Sequence, residues 1–398
     1  MKHRHQTDFL FLNIGHFLDH LFMLIFATSA ALKLSSEWGM SYAELIPYAT
    51  PGFVAFGICA IPAGWLADKW DRRSMIVLFF IGIGIASMLT SLATSPIQIG
   101  IGLFCIGIFA AIYHPVGLSL VVQGRLKTGM PLAINGVFGN LGVACAALFT
   151  GFLIDKVSWQ SAFIVPGVVS IIIGIMYLFF IRGGNIEPRE KINKDKTKIT
   201  DTSRKTLLRI FAIVLASTAL GGLIFQSTTF ALPKIFDERI GDFASSASQI
   251  GWYAFIVFSF AAIAQLIVGY LLDTRSLKTI FIAVVSLQAI FFAIMQNLHG
   301  IPALLVSIGF MLVVFGQIPI NDVLVGRIAS SAWRSRAFAI RYIVTFSVMA
   351  CSVPLISWIH ANHGFNTLFL LLSVTAVLIL VVVSLLPSNN SMLRHTIS

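Results

Sequence analysis

Three ionisable residues, His16, Asp19 and His20, stand at i, i+3 and i+4 inside a long apolar run. That spacing puts all three on one face of a helix, and Asn13 extends the stripe by one turn. An Asp between two imidazoles is suited to accepting and releasing a proton. A static polar cluster that fixes this helix against a neighbour is the alternative reading. The same ligand types suit a metal ion, but two His and one Asp on a single helix form an incomplete set, so no metal site is assigned. A second candidate is Tyr113-His114-Pro115. Proline inside a helix removes a backbone hydrogen bond and kinks it, which can turn His114 towards a site or leave it bonded to a backbone carbonyl.

Other polar residues are scattered through apolar stretches. Asn135 and Asn140 lie in the run NGVFGNLGVACAALFTGF, where Gly136, Gly139, Gly142 and Gly151 permit close helix approach. Gln226, Gln317 and Asn321 can bond a substrate or join helices. Asp322 and Arg341 can pair with each other, as an inner gate, an anion site or a static link. Gly64, Asp68, Arg72 and Arg73 form a short polar segment, GWLADKWDRR, that recurs as GYLLDTRSLK with Gly269, Asp273 and Arg275. It reads either as a latch between helix ends, with the Asp capping a neighbouring helix, or as a basic turn.

The elements that must position these residues follow from composition. Of 398 residues, 57% are hydrophobic and 11% charged, whereas soluble domains carry roughly 25% charged residues. Mean hydropathy is +0.90. So few charges cannot cover a water-exposed surface, which excludes a soluble enzyme, and the high hydrophobicity excludes disorder. A helical, multi-pass membrane protein remains. The four cysteines lie in apolar stretches without pairing or ligand spacing and read as packing residues. No G-x-x-x-x-G-K-[ST] loop is present, so ATP-driven pumping is not expected, nor is any cofactor. The first apolar run lacks a cleavage site and reads as a retained span.

Twelve spans of about 20 apolar residues are expected, near 9–32, 44–67, 74–93, 97–122, 131–154, 160–181, 209–232, 250–272, 278–297, 301–326, 337–358 and 364–386. A basic segment, 182–208, separates an N-terminal six-span half (1–181) from a C-terminal one (209–398). The halves repeat. Gly64 and Gly269 are offset by 205 residues, SWQSAF and GFNTLF by 206, and Pro115 and Pro319 by 204. Gln226 falls one repeat from His20, and Gln317 and Asn321 fall near the counterpart of His114. With the N-terminus inside, 22 of the 27 Lys and Arg lie on the inner side and four (Lys33, Lys156, Lys234, Arg239) on the outer. By the positive-inside rule both termini are cytoplasmic, and the net charge of +11 marks the side of the loops, not a nucleic-acid partner.

Twelve spans in two halves, with the Gly–Asp–Arg loop after spans 2 and 8, resemble the major facilitator superfamily. Within it, Gly15–His20, Tyr113–Pro115 and the glycine-rich span 5 are similar to fosmidomycin-resistance-type efflux proteins. That group tends to carry an acid after His-Pro, where this chain has Val116 and Gly117, and Asn-Asp in span 1, where it has Asp19-His20. The resemblance implies two six-helix bundles working by alternating access. It implies proton-driven export of a small drug-like, anionic or siderophore-like compound across a bacterial inner membrane. His16, Asp19, His20 and His114 are the expected proton or substrate site, and Asn13, Tyr113, Asn135, Gln226, Gln317 and Asn321 the expected cavity lining. Gly64, Asp68, Arg72, Gly269, Asp273, Arg275, Asp322 and Arg341 are the expected gating residues. Substrate, protons and lipid are the expected partners of a monomeric chain. Import of a nutrient, siderophore or metal complex, and a non-transporting receptor, are the alternatives.

Overall fold

The computed structural model describes residues 2–123, 129–184, 204–328 and 334–387. Most of the expected linker, 182–208, and the basic residues 125–127 lie outside them. The described chain is helical throughout. The first crossing is α1 (Lys2–Ser29), a π turn (Ala30–Leu34) and α2 (Ser35–Glu37). The second joins α3 (Tyr42–Leu45), a 3₁₀ turn (Ile46–Ala49), α4 (Thr50–Ile58) and α5 (Ala60–Lys69). Then come α6 (Arg72–Thr90) and a fourth crossing of α7 (Pro96–Ala110), a π turn (Tyr113–Gly117) and α8 (Leu118–Val122). The remaining helices are α9 (Gly129–Lys156), α10 (Trp159–Arg182), α11 (Arg204–Arg239), α12 (Ala247–Thr274), α13 (Leu277–Met295), α14 (Gly300–Ile328) and α15 (Arg334–Ser384).

Eleven helical segments among the described residues are long and apolar enough to cross a membrane. The last, Ile340–Ser384, is 45 residues long, about twice what one crossing needs. It covers both expected spans 11 and 12. Gly364 interrupts it with φ +70° and ψ −179°, a left-handed conformation that glycine adopts without steric cost. Its counterpart one repeat earlier is Ser158. There the backbone is extended and the hydroxyl accepts from Ser161 N–H at 3.4 Å, starting α10. Positions 158 and 364 therefore both interrupt a helix, with different residues.

Side chains that face outward are apolar. On α10, Ile172, Met176 and Phe179 are 51%, 55% and 68% exposed, a surface suited to lipid and not to water. The described residues fall into two compact units: Met1–Asn193 with Phe230–Ser259, and Lys194–Thr229 with Phe260–Ser398. In the first, α1 packs along α9, and α6 against α7 and α10. Gly142 makes the α1–α9 contact possible, because a Cβ there would collide with the backbone carbonyl of Phe17. Two N-caps orient neighbouring helices: Asp71 accepts from Ser74 N–H at 2.8 Å at the start of α6, and Ser95 from Gln98 N–H at 3.4 Å at the start of α7. In the second unit α13 packs against α14 and α15.

Gly142→Leu is expected to force α1 from α9, with an overpacking cost of roughly 1–3 kcal/mol or more. Gly269→Ala, with no atom within 4 Å of the added methyl, is expected to be neutral. Thermal unfolding of the two purified variants in detergent checks the contrast.

Candidate functional site

The candidate site lies in the first unit, where α1, the π turn after α7, and α9 meet. The π turn spans Tyr113–Gly117. Pro115 has no N–H to continue the α-helical ladder, and the extra residue per turn re-aims the side chains around it. Tyr113 is fully buried. Its ring fits between Gly15 and Gly117, each of which would place a Cβ within 2.9 Å of it.

Hydrogen bonds fix one side of the site. Tyr113 donates its hydroxyl proton to the Leu12 carbonyl at 2.6 Å. Asn135 Nδ2 donates both its hydrogens, to Asn13 Oδ1 and to Tyr113 Oη, each at 2.9 Å. The Asn135 carbonyl in turn accepts from His16 Nδ1 at 2.8 Å. That bond sets the tautomer of neutral His16 and leaves its lone pair on Nε2. The His16 ring also stacks on Tyr113, with centroids 4.9 Å apart and 21° between planes.

The other side is looser. His20 Nε2 lies 3.2 Å from His16 Nε2, and His114 Nε2 lies 3.4 Å from Asp19 Oδ2. Asp19 has no solvent exposure, and neither carboxylate oxygen takes a hydrogen bond. The three imidazoles offer ring nitrogens that all lie within 4.8 Å of one another. His20 and His114 are half-buried, and Phe56 sits edge-on to His114 at 5.6 Å. Asn13, His16, Asp19, His20, Tyr113, His114 and Asn135 are thus brought together. Asn140 is buried in α9.

Asp8 and Asp19 are the buried acids among the described residues, and they are treated differently. Asp8 is saturated: its Oδ2 accepts from Arg73 at 3.0 Å and its Oδ1 from the Tyr177 hydroxyl at 2.7 Å. This tie of α1, α6 and α10 was not foreseen. Its signal was an acid directly before the first apolar run.

The remaining sequence candidates stand elsewhere. Asp68 pairs with Arg72 at 2.7 Å within its own loop, both exposed, where an ion pair is worth little. The helix cap in this loop comes from Asp71, not from Asp68. Gly64 approaches Pro115: a Cβ added there would lie 3.4 Å from the Pro115 Cβ. Gly269 has open space beside it, and Asp273 and Arg275 make no ion pair among the described residues. Within the second unit, Gln317 Oε1 accepts from Gln288 Nε2 at 2.8 Å, and Ser217 Oγ donates to Asn321 Oδ1 at 3.2 Å. These bonds join α13 to α14 and α11 to α14, so Gln317 and Asn321 act as links between helices. Gln288 and Ser217 were the missed partners, single polar residues in apolar runs. Gln226 is buried, with its Nε2 unbonded. Asp322 and Arg341 do pair, with the arginine buried.

The sequence profile of the Major Facilitator Superfamily matches residues 12–241 and 238–395. The chain belongs to this superfamily. It is 31% identical over 159 residues to the "Probable actinorhodin transporter" of Streptomyces coelicolor, a match covering 37% of the chain and 27% of that protein. It is 30% identical over 159 residues to the cis,cis-muconate transport protein of Acinetobacter baylyi, covering 39% of the chain and 38% of that protein. The chain thus spans about a quarter to two fifths of the length of the curated relatives it matches. In fold it resembles a bacterial homolog of the human lysosomal transporter Spinster, solved inward-facing and unoccupied. The TM-score is 0.78 at 14% identity, over 100% of both chains. It is a multi-pass membrane protein of a transporter family.

Asn135→Ala is expected to leave Asn13 Oδ1 and Tyr113 Oη without their donor, while the backbone carbonyl that holds His16 remains. Buried groups that lose a partner cost about 1–3 kcal/mol each. A lowered thermal midpoint in detergent, larger than that of Asn140→Ala, is the expected readout.

Proposed function

We propose that the chain is a proton-driven secondary transporter of the bacterial inner membrane that exports a small organic compound by alternating access. It would make twelve crossings in two six-helix halves, 1–181 and 209–398, joined by the 182–208 linker, with both termini cytoplasmic. The Lys/Arg asymmetry supports that orientation, and the helix broken at Gly364 accommodates two crossings.

One observation carries the coupling assignment. Asp19 is a fully buried carboxylate that accepts no hydrogen bond, beside three histidines. Ionisable groups within membrane helices are costly and are functional candidates by default. A purely structural acid would be saturated, as Asp8 is by Arg73 and Tyr177. Asp19, with His16, His20 and His114, is therefore read as the place where a proton and the substrate exchange. Asn13, Tyr113, Asn135 and Gln226 are read as substrate contacts around it. The Gly64–Arg72 and Gly269–Arg275 loops and the Asp322–Arg341 pair are read as gating elements. The similarity to a "Probable actinorhodin transporter" and to a cis,cis-muconate transport protein supports a small organic cargo. The likeness of Gly15–His20 and Tyr113–Pro115 to fosmidomycin-resistance-type proteins supports export.

Asp19→Asn is expected to abolish pH-gradient-driven flux while leaving expression and folding intact. Inverted membrane vesicles with an imposed pH gradient measure it and separate export from import. Wild-type flux from the variant would sink the assignment.

A further inference from the structure

The histidine cluster brings ring nitrogens from three histidines and a carboxylate close together. Around a tetrahedral zinc ion with bonds of about 2.0–2.1 Å, neighbouring donor atoms sit roughly 3.3–3.4 Å apart. Two donor pairs in this protein already have that spacing: His16 Nε2 with His20 Nε2 at 3.2 Å, and His114 Nε2 with Asp19 Oδ2 at 3.4 Å. One pair comes from α1 alone and the other joins α1 to the π turn. A ring nitrogen from each histidine falls within 4.8 Å of the others.

The surroundings also suit metal ligation. A metal-binding imidazole usually donates its second N–H to a carbonyl or carboxylate, which orients the ring. His16 does so, from Nδ1 to the Asn135 carbonyl at 2.8 Å. Asp19 adds a buried negative charge whose oxygens accept no hydrogen bond. Gly139 keeps the space beside the His16 lone pair open, since a Cβ there would come within 2.7 Å of Nε2. Among the described residues this is the one group of three or more His, Cys, Asp or Glu placed to hold an ion.

We propose that His16, His20, His114 and Asp19 bind a divalent first-row transition-metal ion in a three-nitrogen, one-oxygen set. Imidazole and carboxylate suit Zn²⁺, Co²⁺ or Ni²⁺, whereas Mg²⁺ and Ca²⁺ select oxygen ligands and Cu⁺ selects sulfur. The proposal rests on the reading of this cluster as the substrate site, and it deepens that reading by naming a metal ion as what the site recognises. The ion can arrive hydrated or within a small chelate, and both present the same chemistry to the histidines.

Titration of the purified full-length protein with Co²⁺ in detergent tests this. Intense visible d–d bands of a four-coordinate nitrogen–oxygen site are expected, bleached by stoichiometric Zn²⁺. His20→Ala and His114→Ala are each expected to weaken Co²⁺ binding at least tenfold, with Gly139→Ala in the same direction and His360→Ala, in α15 and outside the cluster, unchanged. Zinc-edge X-ray absorption of the wild type, which needs no variant, is expected to count about three imidazoles. Absence of the bands, or unchanged Co²⁺ affinity in a folded His114→Ala protein, overturns the proposal. Loading with zinc–[¹⁴C]citrate distinguishes the sources: label retained with the metal marks a chelate and label left behind marks the bare ion. If metal does not bind but Asp19-dependent flux persists, the metal proposal fails and the transport reading stands. If metal binds but a pH gradient drives no flux, the reverse holds.

Discussion

The burial of one carboxylate organises the first half of this protein. Asp19 sits within α1 with no exposure and no hydrogen-bond donor on either oxygen. In a membrane such a group is retained only if its surroundings answer its charge. The answer here is a set of imidazoles. One of them, His114, is delivered from a distant part of the chain by the π turn at Pro115. A regular helix through 113–117 would aim these side chains differently. The irregular turn, the small residues around Tyr113 and the close α1–α9 packing all serve that placement.

The scaffold that holds this face of α1 is correspondingly rigid. Asn135 spends both amide hydrogens on Asn13 and Tyr113 and its carbonyl on His16. Tyr113 in turn holds the Leu12 carbonyl. Asn135 Nδ2, the Tyr113 hydroxyl and His16 Nδ1 are therefore committed to structure, while the Asp19 oxygens accept no hydrogen bond. The same separation appears within α1 itself. Asp8 is locked by Arg73 and Tyr177 near one end, and Asp19 is left open further along. In the second unit, polar side chains link helices in pairs, Gln288 with Gln317 and Ser217 with Asn321.

Much of the fold was legible in the sequence because lipid imposes a simple rule: long apolar runs must be helices, and charges must lie outside them. The repeat offsets placed helix boundaries well, including the break at Gly364 opposite Ser158. The loop motif was legible only in part. Gly64 does approach Pro115, but Asp71 takes the capping role and Asp68 pairs locally, because several acids and bases compete within five residues. In the second half, the polarity of Gln317 and Asn321 was visible. Their use was not, because their partners lie 29 and 104 residues away in the chain.

By itself the sequence determined the class of protein and the shared face of Asn13, His16, Asp19 and His20, which depend on composition and on helical spacing. It could not complete the ligand set, since two His and one Asp on one helix fall short of a site. Only the tertiary structure decided that His114, 95 residues beyond Asp19 in the chain, stands 3.4 Å from its carboxylate. Only it decided that Asn135 orients His16. The physical reason is that helical periodicity dictates neighbours within a turn or two, whereas contacts between helices depend on crossing geometry. Here that geometry rests on a glycine at 142 and a π turn at a proline.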